Sequence, residues 1–147
     1  LLLQTLRLYC QQQQFQGGLR GFQDRYLAPV LSAIHSDLQH NWTLHDLAQK
    51  AGLSRAAFAS HFRQVTGHTP YQYLTIWRMQ QARKQLRSTQ YSLSEIAAEC
   101  GYETDAAFQR VFKRHHNCSP GVYRKMQAAM AEANRQQTVA TSASSLA

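Results

Sequence analysis

Two segments of the sequence carry small and hydrogen-bonding side chains at helical spacing, each opposite a row of apolar residues. The apolar rows contain Phe58, Phe62 and Val65 in the first segment and Phe108, Val111 and Phe112 in the second, where His115 is expected to face the same side. The residues opposite them are Arg55, Ala56, Ala59, Ser60 and Arg63, then Asp105, Ala106, Gln109, Arg110 and Lys113. Gln pairs with adenine and Arg with guanine through two hydrogen bonds, while small residues permit close approach. The pattern is typical of helices that read base edges.

These segments occupy corresponding places in an internal repeat. Positions of the first copy recur 49 residues later and, beyond one inserted residue, 50 residues later. The matched residues are Leu44, Leu47, Ala48, Ala51 and Gly52 with Leu93, Ile96, Ala97, Cys100 and Gly101, then Ala57, Phe58, Phe62, Pro70 and Tyr73 with Ala107, Phe108, Phe112, Pro120 and Tyr123. Two copies are too few for a solenoid or a propeller, and neither contains a strand pattern.

Each copy carries its own signals for helix ends. The segments Thr43–Asp46 and Ser92–Glu95 each place a hydroxyl three residues before a carboxylate, which predicts a capping box. Gly52 and Gly101 follow at the position that favours a left-handed residue, so each first helix should end there. The residues predicted to cap the next helices are Ser54 and Thr104, then Thr69 before Pro70 and Ser119 before Pro120.

The predicted fold is therefore all-α. Each copy should form a helix, a short turn, a second helix, a loop and a third helix. The helix from Pro70 to about Ser88, about 28 Å long, should leave the first copy and enter the second. A further apolar face predicts a helix at about 24–39, and residues 1–14 also show amphipathic spacing.

The charge of the chain indicates an anionic partner. The sequence has 147 residues and a net charge of +8, and residues 43–125 hold 12 Lys and Arg against 5 Asp and Glu. Nucleic acid is the first interpretation and an anionic membrane surface the second. No apolar run approaches the roughly 20 residues of a membrane-spanning helix. Short, capped and repeated helices also argue against a membrane-surface module.

The residues of the repeat resemble the AraC-type transcription regulators over about 24–126. The matching residues are Leu47-Ala48, Ala51-Gly52-Leu53-Ser54, Phe58, Phe62-Arg63, Thr66-Gly67, Pro70, Tyr73-Leu74, Arg78–Ala82, Ile96-Ala97, Cys100-Gly101-Tyr102, Phe108, Phe112-Lys113 and Ser119–Arg124. The resemblance implies two helix-turn-helix subdomains joined by a long connecting helix. It places these subdomains at about 43–67 and 92–117, with the connecting helix at about 70–88.

The resemblance also implies the domain organisation. Residues 1–20 are expected to be the tail of an upstream, cupin-like sensor domain with its linker, and residues 21–128 the DNA-binding domain. Residues 129–147 are expected to form a disordered tail, because they are rich in Ala, Ser, Thr and Gln and nearly lack large apolar residues. Because the chain starts at Leu1 without a signal pattern, we interpret it as the C-terminal part of a longer protein.

The function implied is sequence-specific binding of double-stranded DNA in transcription regulation, with two recognition helices in successive major grooves. The expected partners are duplex DNA, RNA polymerase, a small-molecule effector bound by the upstream domain, and a second copy of the chain. The expected location is the bacterial cytoplasm, at the nucleoid, with no membrane, cofactor or enzymatic activity. The alternative is the DNA-binding module of a DNA-processing or repair enzyme whose catalytic part lies upstream.

The predicted interface has two classes of contact. The residues predicted to contact bases are Arg55, Ala56, Ala59, Ser60, Asp105, Ala106, Gln109 and Arg110. Those predicted to contact phosphates are Ser54, Arg63, Thr104, Lys113, Arg114 and Arg124. The first helix offers fewer long polar groups, so DNA shape and methyl packing should matter more there. Asp105 has two readings, an acceptor for a cytosine amino group or an acid that stabilises the helix N-terminus.

Several other residues have alternative interpretations. The aromatic residues could stack on bases, but their spacing favours a core; they are Phe58, Phe62, Tyr73, Trp77, Phe108, Phe112 and Tyr123. Cys100, His115, His116 and Cys118 have no zinc-ligand spacing, and Cys100 takes the small core position of Ala51. A redox-sensing role of Cys10 or Cys118 is an alternative to a metal site. The basic residues of the connecting helix either solubilise it or contact phosphate; they are Arg78, Arg83, Lys84 and Arg87.

Overall fold

The computed structural model describes residues 20–145, and every regular element in that range is a helix. From residue 28 onward the helices are α1 (Ala28–Ser36), α2 (Leu44–Ala51), α3 (Arg55–Thr66), α4 (Pro70–Ser88), α5 (Leu93–Glu99), α6 (Asp105–His116) and α7 (Pro120–Ser145). The all-α prediction is confirmed, and the predicted bounds of α4 match the observed ones. The helix predicted over residues 1–14 and Cys10 lie outside the described residues, as does the sensor-domain tail predicted over residues 1–20 except for its last residue.

The first compact unit extends to Arg78 and is built from α1, α2, α3 and the first half of α4. Its buried core consists of Leu27, Val30, Leu31, Ile34, Leu47, Ala48, Ala51, Phe58, Phe62, Tyr73 and Leu74. The start of α1 differs from the predicted residue 24. The Asp24 carboxylate accepts hydrogen bonds from the backbone N–H groups of Tyr26 and Leu27, which holds a turn before the helix begins at Ala28.

The second unit begins at Met79 and contains the rest of α4 with α5, α6 and α7. Its buried core consists of Met79, Ala82, Leu86, Ile96, Ala97, Cys100, Phe108 and Phe112. Helix α4 thus supplies Tyr73 and Leu74 to one core and three later residues to the other. This division explains why the helix is long: each half completes a different unit.

Helix α7 corrects the prediction of a disordered tail. The helix continues to Ser145, and its side chains are exposed from Ala128 onward. The exposure agrees with the scarcity of large apolar residues there. The backbone is helical because Ala, Gln, Glu, Arg and Met favour helix, and neither Gly nor Pro interrupts the segment after Gly121. None of the helices in the described range is long and apolar enough to cross a membrane.

Candidate nucleic-acid interface

The first helix-turn-helix is α2, a turn and α3, and its geometry follows from local capping. The Thr43 hydroxyl accepts a hydrogen bond from Asp46 N–H while the Asp46 carboxylate accepts one from Thr43 N–H. Gly52 ends α2 with φ 69°, a left-handed conformation that costs an L side chain free energy. The Ser54 hydroxyl then accepts from Ala57 N–H and starts α3. The predicted caps of this motif are confirmed.

The second helix-turn-helix, α5 and α6, repeats this construction. Ser92 and Glu95 form the reciprocal capping box, with a hydrogen bond of 2.7 Å from Ser92 N–H to the Glu95 carboxylate. Gly101 has φ 84° in the turn, and the Thr104 hydroxyl accepts from Ala107 N–H. The two motifs therefore present their second helices by the same local chemistry.

The aromatic residues behind each second helix form cores. Phe58 and Phe62 are fully buried with ring centroids 5.6 Å apart, and Phe108 and Phe112 are fully buried at 5.8 Å. This burial confirms core packing and rules out a base-stacking role for these four rings. Tyr73 is also buried, while Trp77 and Tyr123 are half-buried against the two cores.

The predicted base-contacting residues lie mainly on the open sides of α3 and α6. Those that are exposed are Arg55, Ala56, Ser60, Ala106, Gln109 and Arg110, while Ala59 and Asp105 are half-buried. Ala56, Ser60, Ala106 and Arg110 lie opposite the phenylalanines of their helix. Arg55 and Asp105 instead lie three and seven residues before those phenylalanines and so share their side of the helix. Gln64 was not among the predicted residues, but it is exposed one turn after Ser60 and matches Arg114 in the repeat. The repeat offset alone could have identified it.

Asp105 has a partner that the spacing did not reveal. The Ser94 hydroxyl on α5 donates a 2.6 Å hydrogen bond to a carboxylate oxygen of Asp105, which lies in the first turn of α6. The contact crosses the turn between the two helices, and the partners are eleven positions apart in the sequence. A local pattern could not predict it.

The predicted phosphate-contacting residues divide into exposed and internal groups. Arg63, Lys113 and Arg114 are exposed on the recognition helices. Ser54 and Thr104 are exposed as well, and their hydroxyl oxygens accept the capping hydrogen bonds. Arg124 is half-buried, and its Nε donates to the Leu86 carbonyl at 3.4 Å. That geometry holds the guanidinium within the second unit and does not favour the predicted phosphate contact.

Two basic residues of α4 also make internal hydrogen bonds. Arg78 donates to the backbone carbonyls of Leu38 and His40, both at 2.9 Å, and so ties α4 to the loop before α2. Arg83 donates to the Tyr123 hydroxyl at 3.3 Å. Lys84 and Arg87 are exposed. A phosphate contact from α4 would therefore come from one of these exposed residues.

Of the four residues considered as zinc ligands, Cys100 belongs to the second core, and His116 and Cys118 pack beside it. His116, not His115, packs on Phe112, with ring centroids 4.4 Å apart, while His115 is exposed. The expectation that His115 faces the packed side is therefore wrong. Cys100 is buried at the position of Ala51, as predicted. Within residues 20–145 there is no group of three or more His, Cys, Asp and Glu residues that could hold a metal ion.

Comparisons with known proteins agree with this geometry. A family model described as a helix-turn-helix domain matches residues 47–126. A putative AraC-like transcription regulator of Streptomyces lividans is 37% identical over 127 residues, which is 85% of this chain and 42% of that protein. An HTH-type transcriptional regulator of Haemophilus influenzae is 40% identical over 126 residues, with the same two coverages. The chain thus spans less than half the length of these relatives.

A solved structure shows the same architecture. The crystal structure of the DNA-binding domain of AdpA, the global transcriptional factor, in complex with a target DNA superposes with a TM-score of 0.68. The two are 33% identical in sequence, and the match covers 70% of this chain and 93% of the AdpA chain. The paired helix-turn-helix motifs, the family model and these relatives all indicate the same family. The chain belongs to the AraC-type family of helix-turn-helix transcription regulators.

Proposed function

We propose that this chain binds specific sequences of double-stranded DNA and thereby regulates transcription. The observation that carries the proposal is the pair of capped helices, α3 and α6, each with a buried phenylalanine pair on one side and exposed polar and small residues on the other. The likeness to the AdpA domain, which was solved with a target DNA, supports this role. The net charge of +8 suits a polyanionic partner.

The two recognition helices, α3 and α6, differ in the side chains that they offer to bases. Helix α6 offers Gln109 and Arg110, which can form bidentate hydrogen bonds with adenine and guanine. Helix α3 offers Arg55 and Ser60 among alanines. The second half-site should therefore show sharper base preferences. The first should depend more on groove shape, backbone contacts and thymine methyl groups.

The binding site should be bipartite, with α3 and α6 in successive major grooves about 10 bp apart. Selection of bound sequences from random duplex DNA, followed by hydroxyl-radical footprinting, tests this arrangement. We expect two protected stretches. Arg55→Ala should weaken protection at one of them, and Arg110→Ala, its matched control, should weaken protection at the other. A single protected groove, affected by only one of the two variants, would contradict a bipartite binding site.

The remaining partners of the whole protein are also proposals. The relatives are more than twice as long as the matched region. We therefore propose that sequence outside this domain binds an effector and mediates self-association. We also propose that the DNA-bound protein contacts RNA polymerase in the bacterial nucleoid. Transcription from a template carrying the selected site, with and without the protein, tests the regulatory role. The relatives reported above are named as transcription regulators, so the alternative of a DNA-processing enzyme gains no support.

A further inference from the structure

Helix α7 presents an apolar face to solvent, which we call the methionine face. It consists of Val122, Met126, Ala129, Met130 and Ala133, which recur at intervals of three and four residues and therefore lie on one side of the helix. The side chains of Val122, Met126 and Met130 are 48%, 53% and 58% exposed. The opposite side of α7 packs into the second unit, where Pro120 is buried and Tyr123 lies against the core.

The second half of α7 extends away from the core that holds its first turns. Its side chains are exposed from Ala128 to Ser145, and an ion pair within this stretch joins Glu132 and Arg135 at 3.9 Å. An exposed ion pair of this kind adds little stability. Residue propensity favours the helix, but most of the stability of a helix in a protein comes from packing of its apolar face. The methionine face is therefore the part of α7 that gains most from a partner.

The charges beside the methionine face indicate that this partner is a second copy of α7. Lys125 and Glu132 lie seven residues apart, about two turns, and so occupy the same flank of the face. Two antiparallel helices related by a two-fold axis bring the same flank of each copy together. Lys125 of one copy then meets Glu132 of the other, and the contact occurs twice. The face is thus complementary in charge to itself.

The same register aligns the apolar side chains. Placing Lys125 level with Glu132 of the second copy puts the two-fold axis between positions 128 and 129. Met126 then lies within one residue, about 1.5 Å along the helix, of the level of Met130 in the second copy. Ala129 lies beside the axis, where its small side chain lets the two helices approach closely. Charge and apolar contact therefore specify one arrangement.

A parallel arrangement lacks this match. It would bring the flank with Lys125 and Glu132 against the other flank of the second copy, which carries Gln127, Asn134 and Thr141. Because these three residues are uncharged, neither charge would gain a partner of opposite sign. The charges therefore favour the antiparallel pair.

We propose that the methionine face of α7 binds the same face of a second copy of the chain, with the two helices antiparallel. The paired stretch, residues 122–134, is about 20 Å long and supplies fewer than the roughly 20–30 residues per side of a standard interface, so the pair should be weak. Its effect should be largest when two copies bind one DNA molecule, since their effective concentration is then high. This contact is separate from the self-association proposed for sequence outside the domain.

Sedimentation equilibrium of the 147-residue chain over a series of concentrations tests the pairing. We expect the average mass to rise from that of one copy toward that of two. The double variant Met126→Gln with Met130→Gln should abolish this rise, because it removes the apolar contact and keeps helix propensity. The matched control Ala131→Gln changes an exposed position on the other side of α7 and should associate like the wild type.

Charge reversal tests the antiparallel register. Lys125→Glu places two carboxylates together at each of the two symmetric contacts, so it should raise the dissociation constant of the pair by about 3- to 30-fold. Combining it with Glu132→Lys restores opposite charges and should return the constant to near the wild-type value. In a parallel pair, the single reversal would have little effect and the second would restore nothing.

Three results would contradict the proposal. A mass of one copy at every concentration would show that the methionine face does not pair, and association that survived in the double methionine variant would place the contact elsewhere. Failure of Glu132→Lys to rescue Lys125→Glu would exclude the antiparallel register. Circular dichroism identifies any variant that does not fold, and if the double methionine variant failed, the charge variants alone would decide. The double methionine variant should still bind a duplex with one selected site, so loss of pairing and failure of the proposed function remain distinguishable.

Discussion

The Tyr73 hydroxyl lies 2.6 Å from Nε2 of His35 and connects α4 with α1 inside the first unit. Burial lowers the pKa of His35 below its usual value. Burial also raises the pKa of Tyr73 to about 12, against an opposing contribution from Trp77. Both side chains are therefore neutral at pH 7. We assign the hydroxyl as the donor and the unprotonated ring nitrogen as the acceptor.

The first unit should lose stability as the solution becomes mildly acidic. Because the folded-state pKa of His35 lies below the unfolded value of about 6.5, the unfolded chain binds more protons as the pH falls through that value. The His35 contribution is complete above about pH 6.5 and declines below it. Denaturant unfolding at a series of pH values should show a steeper loss for the wild type than for His35→Gln. Equal slopes would contradict this assignment.

A second prediction concerns Asp24, whose carboxylate lies 2.8 Å from Nε2 of His61 on α3. Burial opposes ionisation of Asp24, but the hydrogen bonds from His61 and from the backbone of Leu27 and Tyr26 outweigh it and lower its pKa. The stabilising contribution is present above the unfolded pKa of about 3.9 and is lost as the pH falls through the folded value. We expect Asp24→Asn to be less stable than the wild type at pH 6. The difference should shrink in unfolding measurements below about pH 4.

The glycine of the first turn provides a third test. Gly52 has φ 69° and open space where a Cβ would be, so Gly52→Ala should destabilise through backbone strain alone, by roughly 1–2 kcal/mol. Gly121 also has open space but lies in the first turn of α7 without a positive φ. The matched control Gly121→Ala should therefore stabilise by about 0.5–1 kcal/mol. Chemical denaturation measures both changes, and a loss of stability in both variants would show that strain is not the cause.

Arg110→Ala and Lys113→Ala should weaken DNA binding in different ways. Arg110 lies on the open side of α6 where side chains would reach bases, so Arg110→Ala should cost about 1–3 kcal/mol at the matched site and relax one base preference. Lys113 lies nearly one turn further along. Lys113→Ala should weaken all sequences alike and lower the salt slope by about one. Binding across a salt series checks both, and Arg110 would become a phosphate contact if only its salt slope changed.

The sequence predicted those parts of the structure that depend on neighbours along the chain. The capping boxes at Thr43 and Ser92 and the bounds of α4 were correct because caps, glycine turns and proline positions act within a few residues. The α7 tail was mispredicted because scarce apolar residues remove packing but not helix propensity. The base and phosphate assignments stay predictions.

Contacts between distant residues could not be predicted in this way. His35 and Tyr73 are 38 positions apart, and Arg78 reaches a carbonyl 40 positions away. Such pairs depend on how helices pack, which the spacing of apolar residues does not specify. The same limit applies to the bond from Ser94 to Asp105.

The shared role of α4 has a consequence for how far this architecture can extend. Three residues of its second half, Met79, Ala82 and Leu86, begin the next core, and the repeat offset places Ala129, Glu132 and Gln136 at the same points of α7. Those residues are exposed and cannot start another apolar cluster. Helix α7 therefore lacks the apolar residues with which a third unit would begin. Exchanging its three residues for those of α4 and appending a copy of residues 89–126 should therefore give a chain with three helix-turn-helix motifs.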